Sequence, residues 1–147
     1  MAGLVLKLRP YEQVLVNGVV MQNGDRRAQL KIKTESAHVL RLRDALHPDD
    51  VDTPVKRVYY IAQLAVAGEA DPDEANRQID LGLDQLTSVF ADTDGEKIID
   101  EAIRAFRQRN LYRVMKQLQG LLALEATLLG VAPPRLGDDQ FAEPAEA

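Results

Sequence analysis

Residues 54–67 narrow the choice of fold more than any other part of the chain. Val58, Tyr59, Tyr60, Ile61, Ala62, Leu64, Ala65, Val66 and Ala67 make a helix that is apolar nearly all round, with Gln63 as the one interruption. A helix greasy on every side is buried in a core or an oligomer interface. Its start is marked by Thr53 as N-cap, Pro54 in the first turn, and Asp49, Asp50 and Asp52 near the positive end of the helix dipole. Gly68 supplies the stop. Just ahead, residues 38–43 alternate like a strand, with Leu40 and Leu42 on one face and Val39, Arg41 and Arg43 on the other. The segment therefore joins a β part to an α part and needs a core at the join.

The chain before it reads as short strands. Residues 3–9 put Leu4, Leu6 and Leu8 on one face, and Pro10 ends the run. Residues 13–16 and 19–22 flank Asn17-Gly18, the strongest short hairpin signal, and Asn23-Gly24 turns the chain again. Residues 28–33 alternate with Leu30 and Ile32 inward. With 38–43 this predicts about five strands in a small antiparallel sheet or barrel-like meander.

The chain after it reads as helices. Asp71-Pro72-Asp73-Glu74 opens a second helix with a cap, a first-turn proline and an acid, and Ala75, Ile79, Leu83, Leu86 and Phe90 draw one stripe along it. The pattern predicts a third helix over about 96–109 and a fourth over 111–129, ended by Gly130 and Pro133-Pro134. The expected organisation is α+β: a β-sheet subdomain at 1–45, a bundle of about four helices at 46–130, and an Ala-, Pro- and acid-rich disordered tail at 131–147.

Charge divides the chain the same way. Residues 1–43 carry eight Lys/Arg against three acids, and residues 44–147 carry ten against twenty. A net charge of −5 argues against indiscriminate polyanion binding, while the asymmetry permits an anion site on the first third. The absence of cysteine excludes disulfides and thiolate chemistry, and fits a cytoplasmic location. No run reaches transmembrane length, so no membrane role is expected.

No catalytic constellation is visible, and neither an enzyme activity nor a cofactor is expected. Ser36 and Ser88 lie in no nucleophile motif. His47 with Asp49, Asp50 and Asp52 reads better as a turn and helix start than as a metal site. Asp92-Thr93-Asp94-Gly95 lacks the later oxygen ligands of a calcium loop. One pattern remains: Lys7 and Arg9, Lys31 and Lys33, and Arg41 and Arg43 are paired cations on three strands, with Arg26 and Arg27 at a turn. Opposite an apolar sheet face these eight make a candidate nucleic-acid surface, mainly for phosphate, with solvated outward positions or pairing to the acidic helices as the simpler reading. Tyr59-Tyr60 is the expected protein interface, with core packing as the simpler reading.

The phrases GLVLKLRPYEQVLVNGVVMQNGDRR, HVLRLRDALHP and TPVKRVYYIAQL together closely resemble the FlbT family of flagellum biosynthesis repressors in alphaproteobacteria, over about residues 3–129. The resemblance implies a post-transcriptional repressor that associates with the 5′ untranslated region of flagellin mRNA and lowers its translation or stability. It also implies a FlaF-type flagellar regulator as partner, and flagellin is a further partner to expect if the chain works by protein contact. A homo-oligomer is expected as well. The rival expectation is a protein-interaction module, or chaperone-like partner of flagellar proteins, whose effect on RNA is indirect.

Overall fold

The computed structural model describes residues 4–137. Five strands come first: β1 (Leu4–Leu8), β2 (Gln13–Val16), β3 (Val19–Gln22), β4 (Ala28–Ile32) and β5 (Val39–Arg41). Four helices follow: α1 (Pro54–Val66), α2 (Pro72–Val89), α3 (Gly95–Arg107) and α4 (Leu111–Leu129). The fold is α+β. Among the described residues no helix is long and apolar enough to cross a membrane.

The strands divide between two antiparallel sheets. β2 and β3 form the hairpin around Asn17-Gly18, whose φ angles of 49° and 84° are the left-handed pair that a two-residue hairpin turn needs. β5 takes the other edge of β2, giving the order β3-β2-β5. β1 skips the hairpin and pairs with β4, with Leu6 opposite Leu30 and Lys7 opposite Gln29.

Alternation then stacks three layers. Leu15 and Leu40 point from the three-stranded sheet into the helical core. Val14, Val16 and Val39 point the other way and meet Leu6, Leu8 and Ile32 of the two-stranded sheet. The outer face of that second sheet, carrying Val5, Lys7, Gln29 and Lys31, is left to solvent.

The join between sheet and helices explains the two polar groups on the greasy helix. Tyr59 is wholly buried, and its hydroxyl donates to the Asp44 carbonyl at 2.6 Å while accepting from Gln119 Nε2 at 3.0 Å. Burial pushes that phenol far above its ordinary range, and the nearby Asp44 adds to the shift. Gln63 brackets Leu46, accepting its N–H at 2.7 Å and donating to its carbonyl at 3.2 Å. A chain turning inside a core must have its peptide groups satisfied, and these two side chains do that. The same turn ends β5 early. The strand expected to reach Arg43 stops at Arg41 and tightens into a 3-10 turn over Leu42–Asp44.

The start of α1 is tied to the end of the fold. Thr53 Oγ1 accepts from Lys56 N at 3.3 Å and donates to Glu125 of α4 at 2.5 Å. The other oxygen of that buried carboxylate accepts from Val55 N at 3.2 Å. Here a carboxylate 70 residues away satisfies one of the N–H groups a helix leaves open at its start.

Residues 131–137 are irregular but not detached from the body. Leu136 packs against the helical core, and Gly137 N–H donates to the Ala45 carbonyl at 2.8 Å. Gly137 has φ +65°, and a Cβ there would lie 2.2 Å from Arg43 Cα, so the contact requires glycine. The rest of the tail expected to be disordered, 138–147, lies outside the described residues.

Candidate nucleic-acid interface

The β1–β4 register decides which cations share a surface. Residues opposite one another in an antiparallel pair lie on the same face. Val5 opposite Lys31, and Lys7 opposite Gln29, therefore put both lysines on the outer face, away from buried Leu6 and Leu8. Arg9 and Lys33 follow the strand ends, and all four cations are exposed.

Arg26 and Arg27 are exposed on the loop that enters β4. A side-chain clip holds this loop to the one leaving β1. The Asn23 amide donates to the carbonyls of Arg9 and Arg26, each at 2.8 Å. Arg9, Arg27 and Lys7 line one shallow groove of about 400 Å³, with Leu8, Ala28 and Gln29. Three guanidinium or ammonium groups around one groove favour an anion such as a phosphodiester.

Tyr11 stands beside Arg9 on the same turn and is well exposed. Its N–H donates to Gly24 O at 2.9 Å and its carbonyl accepts from Gln22 at 3.3 Å, which fixes the backbone at φ 61°. An exposed aromatic on a fixed backbone next to arginines is suited to stack on a base. Strand alternation does not single it out, because Tyr11 belongs to no alternating strand. The available signal was its place directly after Arg9-Pro10.

The structure does not bring Arg41 to that face. Arg41 is opposite Val14 and so lies on the inner side of the three-stranded sheet, which the β1–β4 layer covers. Its guanidinium donates to Glu12 Oε2 at 2.9 Å and to the Lys7 carbonyl at 3.1 Å, with 12% of the side chain exposed. Glu12 is the reason: its carboxylate is only 5% exposed and needs a cation. Arg43, half-buried, approaches the same oxygen at 3.8 Å. Among the described residues, six of the eight sequence-predicted cations are exposed on the β1–β4 sheet and its loops, and two are turned toward Glu12.

Tyr59 is spent in the chain's own core, as described above, and Tyr60 is half-buried against that core. His47 Nδ1 accepts from Asp49 N at 3.1 Å, capping the short turn Pro48–Asp50. Among the described residues no group of three or more His, Asp or Glu is placed to hold a metal ion.

The sequence profile of the family described as flagellar protein FlbT matches residues 4–129. The chain is 32% identical over 128 residues to a probable flagellum biosynthesis repressor protein FlbT 1 of Bradyrhizobium diazoefficiens, covering 87% of this chain and 86% of the relative. It is 30% identical over 130 residues to a probable flagellum biosynthesis repressor protein FlbT of Caulobacter sp. strain K31, covering 86% and 96%. The flagellum biosynthesis repressor protein FlbT of Caulobacter vibrioides is 34% identical over 86 residues, 58% of this chain and 60% of that one. No solved structure matches the chain. The matched span takes in both sheets and all four helices, and this chain belongs to the FlbT family of flagellar proteins.

Proposed function

We propose that this protein represses flagellum biosynthesis after transcription, by holding the 5′ leader of flagellin mRNA on the outer face of the β1–β4 sheet. The relatives' description as repressors of flagellum biosynthesis supports the role. The observation that carries the mechanism is the groove lined by Lys7, Arg9 and Arg27, with Arg26, Lys31 and Lys33 around it and Tyr11 at its rim. A leader strand lying there is screened from ribosomes and left to cellular nucleases. The protein itself performs no chemistry in this reading, and it acts in the cytoplasm, where the message is.

Six phosphate contacts to a single strand give a log–log salt slope of about −4, so raising salt from about 50 to about 200 mM weakens binding by roughly 300-fold. Titration of labelled flagellin leader with purified protein across a salt series measures this directly. The double variant R26A/R27A is expected to weaken binding and flatten the slope by about two phosphate units. Unchanged binding by that variant, or a slope near zero, sinks the proposed surface.

One observation favours a second reading. A cleft of about 650 Å³ lies between the sheets and the helices, with Leu4, Ile32, Val39 and Val66 beside the polar Thr34, Glu35, Arg41 and Asn110 in its lining. A FlaF-type regulator or flagellin inserting an apolar segment there would make the chain an interaction module. Recovery of such a partner from nuclease-treated extract, lost on Val66→Asp, distinguishes it from the RNA mechanism.

A further inference from the structure

β3 is an edge strand without an edge strand's usual protection. Among the described residues four strands lie at sheet edges: β1, β4, β5 and β3. β1 carries Lys7 and β4 carries Lys31, charges of the kind that deter strand addition, and β5 is only three residues long, too short to template another strand. β3 reads Val19-Val20-Met21-Gln22, with no charge, no proline and all four residues exposed. Val19 is 59% and Val20 57% exposed, although both are β-branched and apolar. The whole hairpin region 13–24 contains no charged residue, in a chain where 28% of residues are charged.

The hydrogen-bond pattern fixes which groups are free. Asn23 N–H donates to Glu12 O at 2.9 Å, so 12 and 23 form a hydrogen-bonded pair. Alternation in an antiparallel ladder makes 14–21 and 16–19 hydrogen-bonded pairs too. Val20 and Gln22 therefore direct their N–H and C=O groups away from β2, along the open edge.

We propose that this edge pairs with the same edge of a second copy, antiparallel about a two-fold axis through Val20. A two-fold contact sets a patch against itself, so a patch that meets no like charge in its own image is what it requires. Continuing both faces of the sheet places Val20 opposite Val20 of the partner subunit as a hydrogen-bonded pair. It places Val19 opposite the partner's Met21 as a non-hydrogen-bonded pair. The result is one six-stranded sheet in the order β5-β2-β3-β3-β2-β5. It closes at two copies, because pairing uses up the open edge and each outer end is β5, only three residues long. Val19 and Met21 lie on the inner face, beside the open side of the β1–β4 layer where Leu30 is also exposed, so apolar surface there extends the seam.

A seam built on four-residue strands is small, so dissociation in the micromolar range is expected. Analytical ultracentrifugation of the full chain from about 1 to about 200 μM is expected to show reversible passage from one copy to two. Val20→Lys sets two ammonium groups against each other at the axis and is expected to raise the dissociation constant at least about tenfold, while Val20→Thr leaves it nearly unchanged. A cross-link gives an independent reading in a chain with no cysteine. The double variant V19C/M21C is expected to give a disulfide-linked dimer on mild oxidation, since opposed residues of such a pair lie about 4.5 Å apart at Cα. A single copy at the highest concentration, V20K and V20T associating equally, or no cross-linked dimer from V19C/M21C would each overturn the proposal. Should V20K fail to fold by circular dichroism, the cross-link decides.

Discussion

The helical core and the layer between the two sheets share the three-stranded sheet as a common wall and end very differently. Among the described residues the helical core gathers twenty buried residues, from Leu40 to Leu122. The layer between the sheets buries three: Leu6, Leu8 and Val14. Four apolar residues whose register turns them into that layer, Leu4, Val19, Met21 and Leu30, stay exposed. One region closes on itself and supplies stability. The other keeps apolar and basic surface open.

The contrast can be tested by substitution. Leu118→Ala in the helical core is expected to destabilise the whole protein by about 3 to 4 kcal/mol, seen as a lower urea midpoint in every probe. Leu6→Ala is expected to act locally, at about 2 kcal/mol, raising hydrogen exchange in β1 and β4 while the helical amides keep their protection. Equal loss of protection in the helices would mean the two regions are one cooperative unit.

Arg41→Ala removes the closest partner of a nearly buried carboxylate and is expected to destabilise the sheets by roughly 1 to 2 kcal/mol, while Arg43→Ala changes stability by less than about 0.5. If the two variants match, Glu12 is not what holds Arg41 inside. Tyr59→Phe is expected to lose roughly 1 kcal/mol at neutral pH with its two hydrogen bonds. Its pH behaviour sharpens the point. Burial raises the folded phenol above its unfolded value, so its stabilisation is complete below about pH 10 and is lost as pH climbs further. The gap between wild type and Y59F in denaturation midpoints is therefore expected to narrow above about pH 10.

Much of this division was legible in the residues. The N-cap and proline pairs Thr53-Pro54 and Asp71-Pro72, and Gly130 at the end, place α1, α2 and the stop of α4 within a residue. Asn17-Gly18 places the hairpin. Strand pairing at a distance was not legible. Nothing local to residues 4–8 says that β4, rather than β2, is their partner, because that choice depends on how two sheets share a core. The candidate site inherits the same limit. Lys7 and Lys31 were read as sharing a face, and their strands pair directly; Arg41 was read with them, although its strand belongs to the other sheet, whose non-helical face is covered. A period of two tells which residues of one strand agree, but not which sheet the strand joins.

The clasp between Thr53 and Glu125 bears on how the molecule comes into being. A polypeptide leaves the ribosome from its first residue onward, at roughly 5 to 20 residues per second. The acceptor for the Thr53 hydroxyl and the Val55 amide is absent until residue 125 has emerged. The first helix is thus synthesised before the group that fastens its start. A nascent chain released short of α4 lacks that fastening, so the first turn of the buried helix stays open until the last helix is made.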